Sequence, residues 1–304
     1  MRLTKPVILL TLCIAVLLLG GEQALCWSNG GYSADPNAPV YGTHDWIAEH
    51  ALDFLPAQEK QYIVDNLAVY LYGTELPDNN QAPDGIGDTT KHHIYYSASG
   101  ALVDNASAHR ASMLYASALS FLQAQDYANA AKTAGIMTHY IADVAVFGHV
   151  MGASTDWGAE NSSTHTNYEN YVDRRTESYG DVGFGQYLQF DGGLATVSAY
   201  DAALAVAYDT TFGGSSGLNC TWMNLNYNWS NPTYVARCGE SLNVAVNAVA
   251  DVLHTLYQEA TPSPSPTPLV PEFPAILAVT VMLTIMATTI VFKRSLKHER
   301  GNCV

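Results

Sequence analysis

Five side chains that can bind a metal ion follow one another in a short stretch of the chain. They are His139, Asp143, His149, His165 and Glu169. His139 and Asp143 are four residues apart, as are His165 and Glu169, and residues at this spacing share one face of a helix. Each pair can therefore bind one cation. Imidazole and carboxylate are, beside thiolate, the ligands that zinc accepts, so the stretch predicts a zinc site.

Further histidines upstream strengthen this prediction. A single His-x3-Glu is common on helices, and a lone helical histidine is usually packed or solvated. Here, however, seven of the ten histidines could point into one site, the upstream four being His44, His50, His92 and His93. This accumulation favours a metal centre over isolated structural histidines.

The elements that must position these residues are helices. Apolar residues recur at helical spacing, alternating strand patterns are nearly absent, and about 230 residues can bury one substantial core. The sequence predicts an all-α fold, a single multi-helix bundle domain over 27–259. The predicted helices cover 43–55, 59–72, 107–123, 126–147, 164–179, 197–208 and 241–259, with a loop over 210–237.

The N-terminus has the pattern of a secretory signal peptide over 1–26. A basic start precedes a short apolar run, and Ala24 and Cys26 occupy the small-residue positions before Trp27. The pattern predicts cleavage that makes Trp27 the mature N-terminus. An uncut signal anchor is the alternative, although the apolar run is shorter than a membrane-spanning helix requires.

The C-terminus predicts a membrane anchor. A Pro/Ser/Thr-rich linker covers 260–272, an uncharged apolar segment covers 273–292, and a basic tail covers 293–304. The apolar segment is long enough for a transmembrane helix, and the positive-inside rule predicts a cytoplasmic tail. The arrangement resembles the anchoring tails of archaeal surface proteins. It predicts a single-pass protein whose domain lies on the extracellular face of the cell membrane.

Two cysteines of the predicted domain, Cys220 and Cys238, favour one disulfide in an extracellular compartment. A thiolate metal site is the alternative, disfavoured because the other candidate ligands are histidines and carboxylates. Charge points away from nucleic acid as a partner: residues 27–271 carry seven Lys and Arg against twenty-five Asp and Glu, a net charge of −18. Such a surface repels a polyanion unless metals reverse the local sign, although adaptation to salty surroundings would also explain it.

The candidate ligands stand in a series of motifs. These are Trp27-Ser at the predicted mature N-terminus, Thr43-His44-Asp-Trp-Ile, Leu76-Pro-Asp78, His93-Ile-Tyr, His139-Tyr-Ile-Ala-Asp143 with His149 after five residues, and His165-Thr-Asn-Tyr-Glu169. Together they resemble the secreted bacterial zinc-dependent phospholipase C family, whose fold the fungal single-strand nucleases share. The resemblance covers roughly residues 27–178.

The resemblance implies three zinc ions at the bottom of a cleft in a helical bundle. The first ion would be bound by Asp78, His93, His139 and Asp143, the second by the α-amino group and carbonyl oxygen of Trp27 with His44 and the bridging Asp143, and the third by His149, His165 and Glu169. Because a free α-amine is implied as a ligand, removal of the signal peptide would activate the enzyme.

The resemblance also implies that Asp78 is the general base as well as a ligand. His93 is preferred to His92 because the following Ile-Tyr matches the family order. The interval from Asp78 to His93 is one residue longer than the family pattern, which keeps His92 open.

The function that this implies is a phospholipase C-like phosphodiesterase acting on a phospholipid through water activated by zinc. The sequence around Trp27 and Asp78 lacks the residues that select a choline headgroup in the bacterial enzymes. The Leu-Pro-Asp78 run is also similar to glycosylphosphatidylinositol phospholipase D, which cuts the other side of the phosphate. Two alternatives are a single-strand nuclease or nucleotidase of the same fold and a non-catalytic zinc-binding surface protein.

Overall fold

The computed structural model describes residue 33 and residues 35–261, 283–286 and 288–289. Contacts between residues divide the chain into two units, Met1–Thr261 and Pro262–Val304. The first unit contains the helical fold and every candidate ligand that is described.

The first unit is mostly helical, which confirms the predicted all-α class. Two short antiparallel strands, β1 (Tyr95–Tyr96) and β2 (Leu102–Asp104), form the sheet of the described part. Short 3₁₀ turns connect several helices. The α-helices described are α1 (Thr43–Ala51), α2 (Ala57–Val64), α3 (Leu67–Glu75), α4 (Ala106–Gln123), α5 (Tyr127–Ala142), α6 (Ser162–Asp173), α7 (Ala199–Phe212), α8 (Cys220–Leu225) and α9 (Pro232–Ala260).

Polar side chains determine where several helices begin. Asn161 Oδ1 accepts a hydrogen bond from the backbone N–H of Thr164 at 3.0 Å at the start of α6. Asn231 caps α9 through Thr233 N at 3.0 Å, and Pro232 follows it in the first turn. Asn is a favoured N-cap and Pro a favoured first helical residue, since proline has no N–H to leave unpaired.

Two glycines allow α3 and α5 to cross closely. A Cβ added at Gly135 would lie 3.0 Å from the carbonyl carbon of Tyr70 and 3.3 Å from Cα of Gly73. A Cβ at Gly73 would in turn lie 3.1 Å from Ile136 N. Since these neighbours are backbone atoms, neither site has room for a side chain. The crossing sets the distance between the two helices that lead into the candidate site.

The structure differs from the predicted elements at helix ends. The helix predicted over 59–72 is two helices, because the chain turns at Asn66, whose side chain donates to Tyr62 O at 2.8 Å. The helix predicted over 126–147 ends at Ala142. The loop predicted over 210–237 contains α8 and the first turns of α9.

The predicted disulfide is wrong. Cys220 and Cys238 are both free thiols and both are buried. Cys220 opens α8 and Cys238 lies within α9. Burial raises the pKa of the Cys238 thiol to about 12, which keeps it protonated.

The predicted transmembrane helix, and with it the single-pass anchor, is also corrected. No helix in the described part of the chain is long and apolar enough to cross a bilayer, which requires about 20 apolar residues. Within 273–292 only residues 283–286 and 288–289 are described, as helix. The signal peptide over 1–26, Trp27, the tail over 293–304 and all but the first two residues of the linker over 260–272 lie outside the described residues.

Candidate metal centre

Four candidate ligands meet where α3 and α5 end. Asp78 follows the last turn of α3, and His139 and Asp143 lie on the last turn of α5 and directly after it. His92 comes from the turn after Thr89–Lys91. His92, His139 and Asp143 are buried, and the Asp78 side chain is 11% exposed. Asp78 is therefore the carboxylate through which this cluster reaches the surface.

Four distances among these side chains are close to those of a tetrahedral zinc site. His92 Nδ1 lies 3.3 Å from Asp78 Oδ1, 3.2 Å from Asp143 Oδ2 and 3.3 Å from His139 Nε2. His139 Nε2 lies 3.8 Å from Asp78 Oδ1. Ligand atoms placed tetrahedrally about 2.0–2.1 Å from one zinc ion are about 3.3–3.4 Å apart. The donor set and its spacing therefore fit zinc.

Backbone carbonyls orient two of the imidazoles. His139 Nδ1 lies 2.7 Å from Thr74 O, and His149 Nδ1 lies 2.6 Å from His92 O. A ring that donates its Nδ1–H to a carbonyl keeps the Nε2 lone pair for a metal. The Nε2 atoms of His139 and His149 are therefore the ones available as ligands.

His44, near the start of α1, approaches the same centre from the opposite side. Its ring stacks on that of His139 with 3.9 Å between ring centroids. Its Nε2 lies 3.6 Å from Asp143 Oδ1. The side chain is fully buried, and neither ring nitrogen has a hydrogen-bond partner among the described residues. Burying a polar atom without a partner is costly, so the Nε2 that faces Asp143 is also suited to a ligand.

His149, His165 and Glu169 form a second cluster. His165 and Glu169 lie on one face of α6, and His165 Nε2 is 2.9 Å from Glu169 Oε1. His149, on the 3₁₀ turn Phe147–Val150, has its Nε2 3.6 Å from the same oxygen. The other nitrogen of His149 lies 3.0 Å from Asp143 Oδ2. The two clusters are therefore in contact.

Burial and charge determine which of these groups are ionised. Burial, and next the His44 ring, lower the pKa of His139 to about 3, so this imidazole is neutral. Burial would raise the pKa of Asp143, but His149 and the other histidines outweigh it and hold the pKa well below its usual range. Burial likewise opposes protonation of His165, yet Glu169 and Glu160 raise its pKa to about 9. A metal ion binding here must therefore displace a proton from His165.

The structure brings together all but two of the residues assigned from the sequence. Trp27 lies outside the described residues. His93 is away from the cluster: its ring stacks on Tyr95, its Nε2 faces Asp104 Oδ1 at 3.3 Å, and its side chain is 24% exposed. His92 occupies the position assigned to His93 and replaces it among the candidate ligands.

Several polar residues around the centre were missed. Arg110 Nε forms an ion pair with Asp88 Oδ2 at 2.8 Å, the Tyr140 hydroxyl donates to Asp88, and Asp88 Oδ1 lies 3.6 Å from His92 Nε2. Glu160 forms an ion pair with His165 Nδ1. Asp88 lies four residues before His92, and this spacing would have indicated that Asp88 is near the centre. No spacing in the sequence indicated Glu160.

The described side chains form three groups that could hold a metal ion. His139 belongs to two of them, and only its Nε2 remains available, so one ion at most can use it. The groups are His44, Asp78 and His139; His92, His139 and Asp143; and His149, His165 and Glu169.

The helical fold and these ligand groups define an all-α protein with a histidine–carboxylate metal centre. The chain belongs to the zinc-dependent phospholipase C family, whose family model matches residues 43–213. This confirms the resemblance inferred from the motifs. Among curated protein sequences, none matches this chain.

Solved structures to which this chain is similar include two clostridial toxins. The alpha toxin of Clostridium absonum has 14% sequence identity and a TM-score of 0.50, with 76% of this chain and 66% of the toxin covered. The alpha-toxin of Clostridium perfringens from an avian strain has 13% identity and a TM-score of 0.45, with 77% and 66% covered. The chain thus spans about two thirds of the toxins' length.

Proposed function

We propose that this protein is a zinc-dependent phospholipase C that hydrolyses the phosphodiester bond of a phospholipid. Water adds to phosphorus, the bond to the glycerol oxygen breaks, and that oxygen takes up a proton. The observation that carries the proposal is the group of His92, His139 and Asp143, with His92 Nδ1 3.2–3.3 Å from a ligand atom of each of the other two, and Asp78 Oδ1 3.3 Å and 3.8 Å from the two histidines.

Bound zinc would supply positive charge to the phosphate oxygens and lower the pKa of a coordinated water. The side chains would position the ions and accept the proton. Asp143 is fully buried between His44, His92 and His149, at 3.0–3.6 Å from each, and so would join neighbouring ions. Asp78, the more accessible carboxylate, would accept the proton of the attacking water at Oδ2, because Oδ1 is its ligand atom.

The number of ions is part of the proposal, and we put it at three. His139 Nε2 can bind one ion only, so His44 requires other donors, and Asp143 Oδ1 at 3.6 Å is one of them. The α-amino group and carbonyl oxygen of Trp27 would complete that set once the signal peptide is removed. His149, His165 and Glu169 would bind the remaining ion.

The test is hydrolysis of bis-p-nitrophenyl phosphate, with the zinc content counted by mass spectrometry. We expect activity that a chelator abolishes and zinc restores. Asp143→Asn should lose zinc and activity together, since this carboxylate contacts three histidines of the centre. Asp65→Asn, an exposed aspartate after α2, is the matched control and should behave as wild type. Full activity in Asp143→Asn would refute the assigned role.

The substrate class needs a second comparison. We expect phospholipid vesicles to be hydrolysed faster than single-stranded DNA, because the net charge of −18 over 27–271 repels a polyanion. Faster cleavage of DNA would instead indicate a nuclease. Zinc binding without cleavage of either substrate would indicate a non-catalytic metal-binding protein.

A further inference from the structure

Glu160 contacts the second cluster from the side that faces away from the metal position. Its Oε2 forms an ion pair with Nδ1 of His165, while Nε2 of the same ring lies 2.9 Å from Glu169 Oε1. His165 is therefore held between two carboxylates, one at each ring nitrogen. The Glu160 side chain is 31% exposed, whereas those of His165 and Glu169 are 9% and 2% exposed. Glu160 is thus at the rim of the cluster and not within it.

The start of α6 explains why these two side chains meet. Asn161 is the N-cap, so Glu160 is the residue before the cap and His165 is the fourth residue of the helix. These are the two positions that an apolar pair often occupies to fix the entry of the chain into a helix. Here a carboxylate and an imidazole occupy them. The backbone N–H of Asn161 also donates to Asn224 Oδ1 at 2.9 Å, which ties this turn to α8.

Gly148 provides the space in which the pair meets. A Cβ at this position would lie 2.5 Å from His165 Nδ1, 2.6 Å from its Cε1, and closer still to Glu160 Oε2. Any larger residue at 148 would therefore push the imidazole and carboxylate apart. Because His149 is the next residue, the same turn that makes room for the pair also presents another ligand of the cluster.

We propose that Glu160 is a positioning residue for the third zinc ion, acting through His165. As the carboxylate paired with Nδ1, it would keep the proton on that nitrogen, hold the ring in the orientation in which Nε2 faces the metal, and raise the basicity of Nε2. Such outer carboxylates on metal-binding histidines typically contribute about 10–100-fold to metal affinity. The inference rests on the proposed zinc centre and adds a residue to it.

The experiment measures zinc retention in the full chain. Zinc-loaded protein is titrated with a competing chelator and the equivalents of zinc that remain are counted. Glu160→Ala should release one equivalent at a chelator concentration about 10–100-fold lower than wild type, with the others unchanged. Glu160→Gln retains an oxygen that accepts the Nδ1–H and should lie closer to wild type. Glu177→Ala, an exposed glutamate after α6, is the control and should match wild type.

Cobalt substitution gives a spectroscopic test of the same point. The visible absorption of the cobalt ion at this site should change in Glu160→Ala and be largely restored in Glu160→Gln. If Glu160 has only a structural role, Glu160→Ala would weaken the binding of every zinc equivalent and would lower the unfolding midpoint of the protein in chelator. That result would overturn the inference. Unchanged retention of every equivalent would overturn it as well. If Glu160→Ala does not fold, the same titration is made with Glu160→Ser, whose side chain is too short to reach His165; selective loss of one equivalent supports the inference and unchanged retention overturns it. Wild-type protein that binds no zinc would instead refute the proposed function.

Discussion

Replacing Gly135 by Ala tests whether the close crossing of α3 and α5 supports the metal centre. The new methyl group would meet the Tyr70 carbonyl group, whose carbon lies at 3.0 Å, and Gly73 Cα at 3.3 Å. Alanine in a helix is favoured over glycine by about 1 kcal/mol. Overpacking in a core costs about 1–3 kcal/mol. The upper part of that range applies here, because the neighbours are backbone atoms that cannot change rotamer.

The expected net effect is a loss of about 1–2 kcal/mol in the free energy of unfolding, the difference between the two magnitudes. For a domain of this size the loss lowers the melting temperature by about 2–8 °C. The effect should extend to zinc binding. The 2.7 Å contact between His139 Nδ1 and Thr74 O joins the two helices next to Gly73. Separating the helices weakens that contact, and zinc affinity should fall by about tenfold.

The assay is thermal and urea unfolding, in chelator and in zinc. Gly193→Ala is the control, because a Cβ there would meet nothing within 4 Å and the backbone does not have positive φ. It should stay within about 0.5 kcal/mol of wild type. If Gly135→Ala were as stable as wild type or more stable, the helices would have room to adjust, and the close-packing argument would be refuted.

Three further predictions concern the centre itself. His92→Ala should lose zinc and about 100-fold or more in activity, beyond the 10–100-fold typical of losing only a partner behind a ligand, whereas His93→Ala, with a partly exposed ring on Tyr95, should keep both; equal effects in the two variants would contradict the assignment of His92. Asp78→Asn should keep some zinc, because the amide oxygen can still bind it, but slow turnover by about 10²–10⁴-fold, and unchanged turnover would exclude it as the base. In metal-free protein the pKa of His165, raised to about 9, should stabilise the fold fully below pH 6.5 and lose that contribution as pH rises through 9. Urea midpoints between pH 6 and 10 measure this, and His165→Gln should remove that part of the decline; the same decline in both proteins would show that other groups cause it.

The sequence determined the parts of the centre that depend on local geometry. The pairs His139 with Asp143 and His165 with Glu169 are four residues apart, and the helix period alone brings the members of each pair to one face. The same period brings apolar residues of α9 to one face, and Leu242, Val246 and Leu253 are buried there. An apolar residue type alone does not indicate burial: Met113, on the outer face of α4, is 61% exposed.

The tertiary structure decided whatever depends on turns and on distant contacts. The choice between His92 and His93 is an example, since neighbouring residues outside a helix point in different directions. His92 ends the turn that begins at Thr89, and the following Ile94 N–H donates to His149 O at 3.2 Å. That long-range hydrogen bond holds the segment with His92 inward and His93 toward Asp104. Motif order could not supply this information.

The contacts of the two cysteines and of Glu160 also depend on the tertiary structure and not on local spacing. Compartment and composition favoured a disulfide, but whether two thiols meet depends on how α8 and α9 pack, and both are free. Glu160 lies five residues before His165, a separation that does not place two residues on one face of a helix. It meets His165 only because the chain turns at Asn161 before α6 begins and because Gly148, from a different turn, leaves the space. Local spacing thus determined which ligands form pairs, and packing between distant segments determined which additional residues surround them.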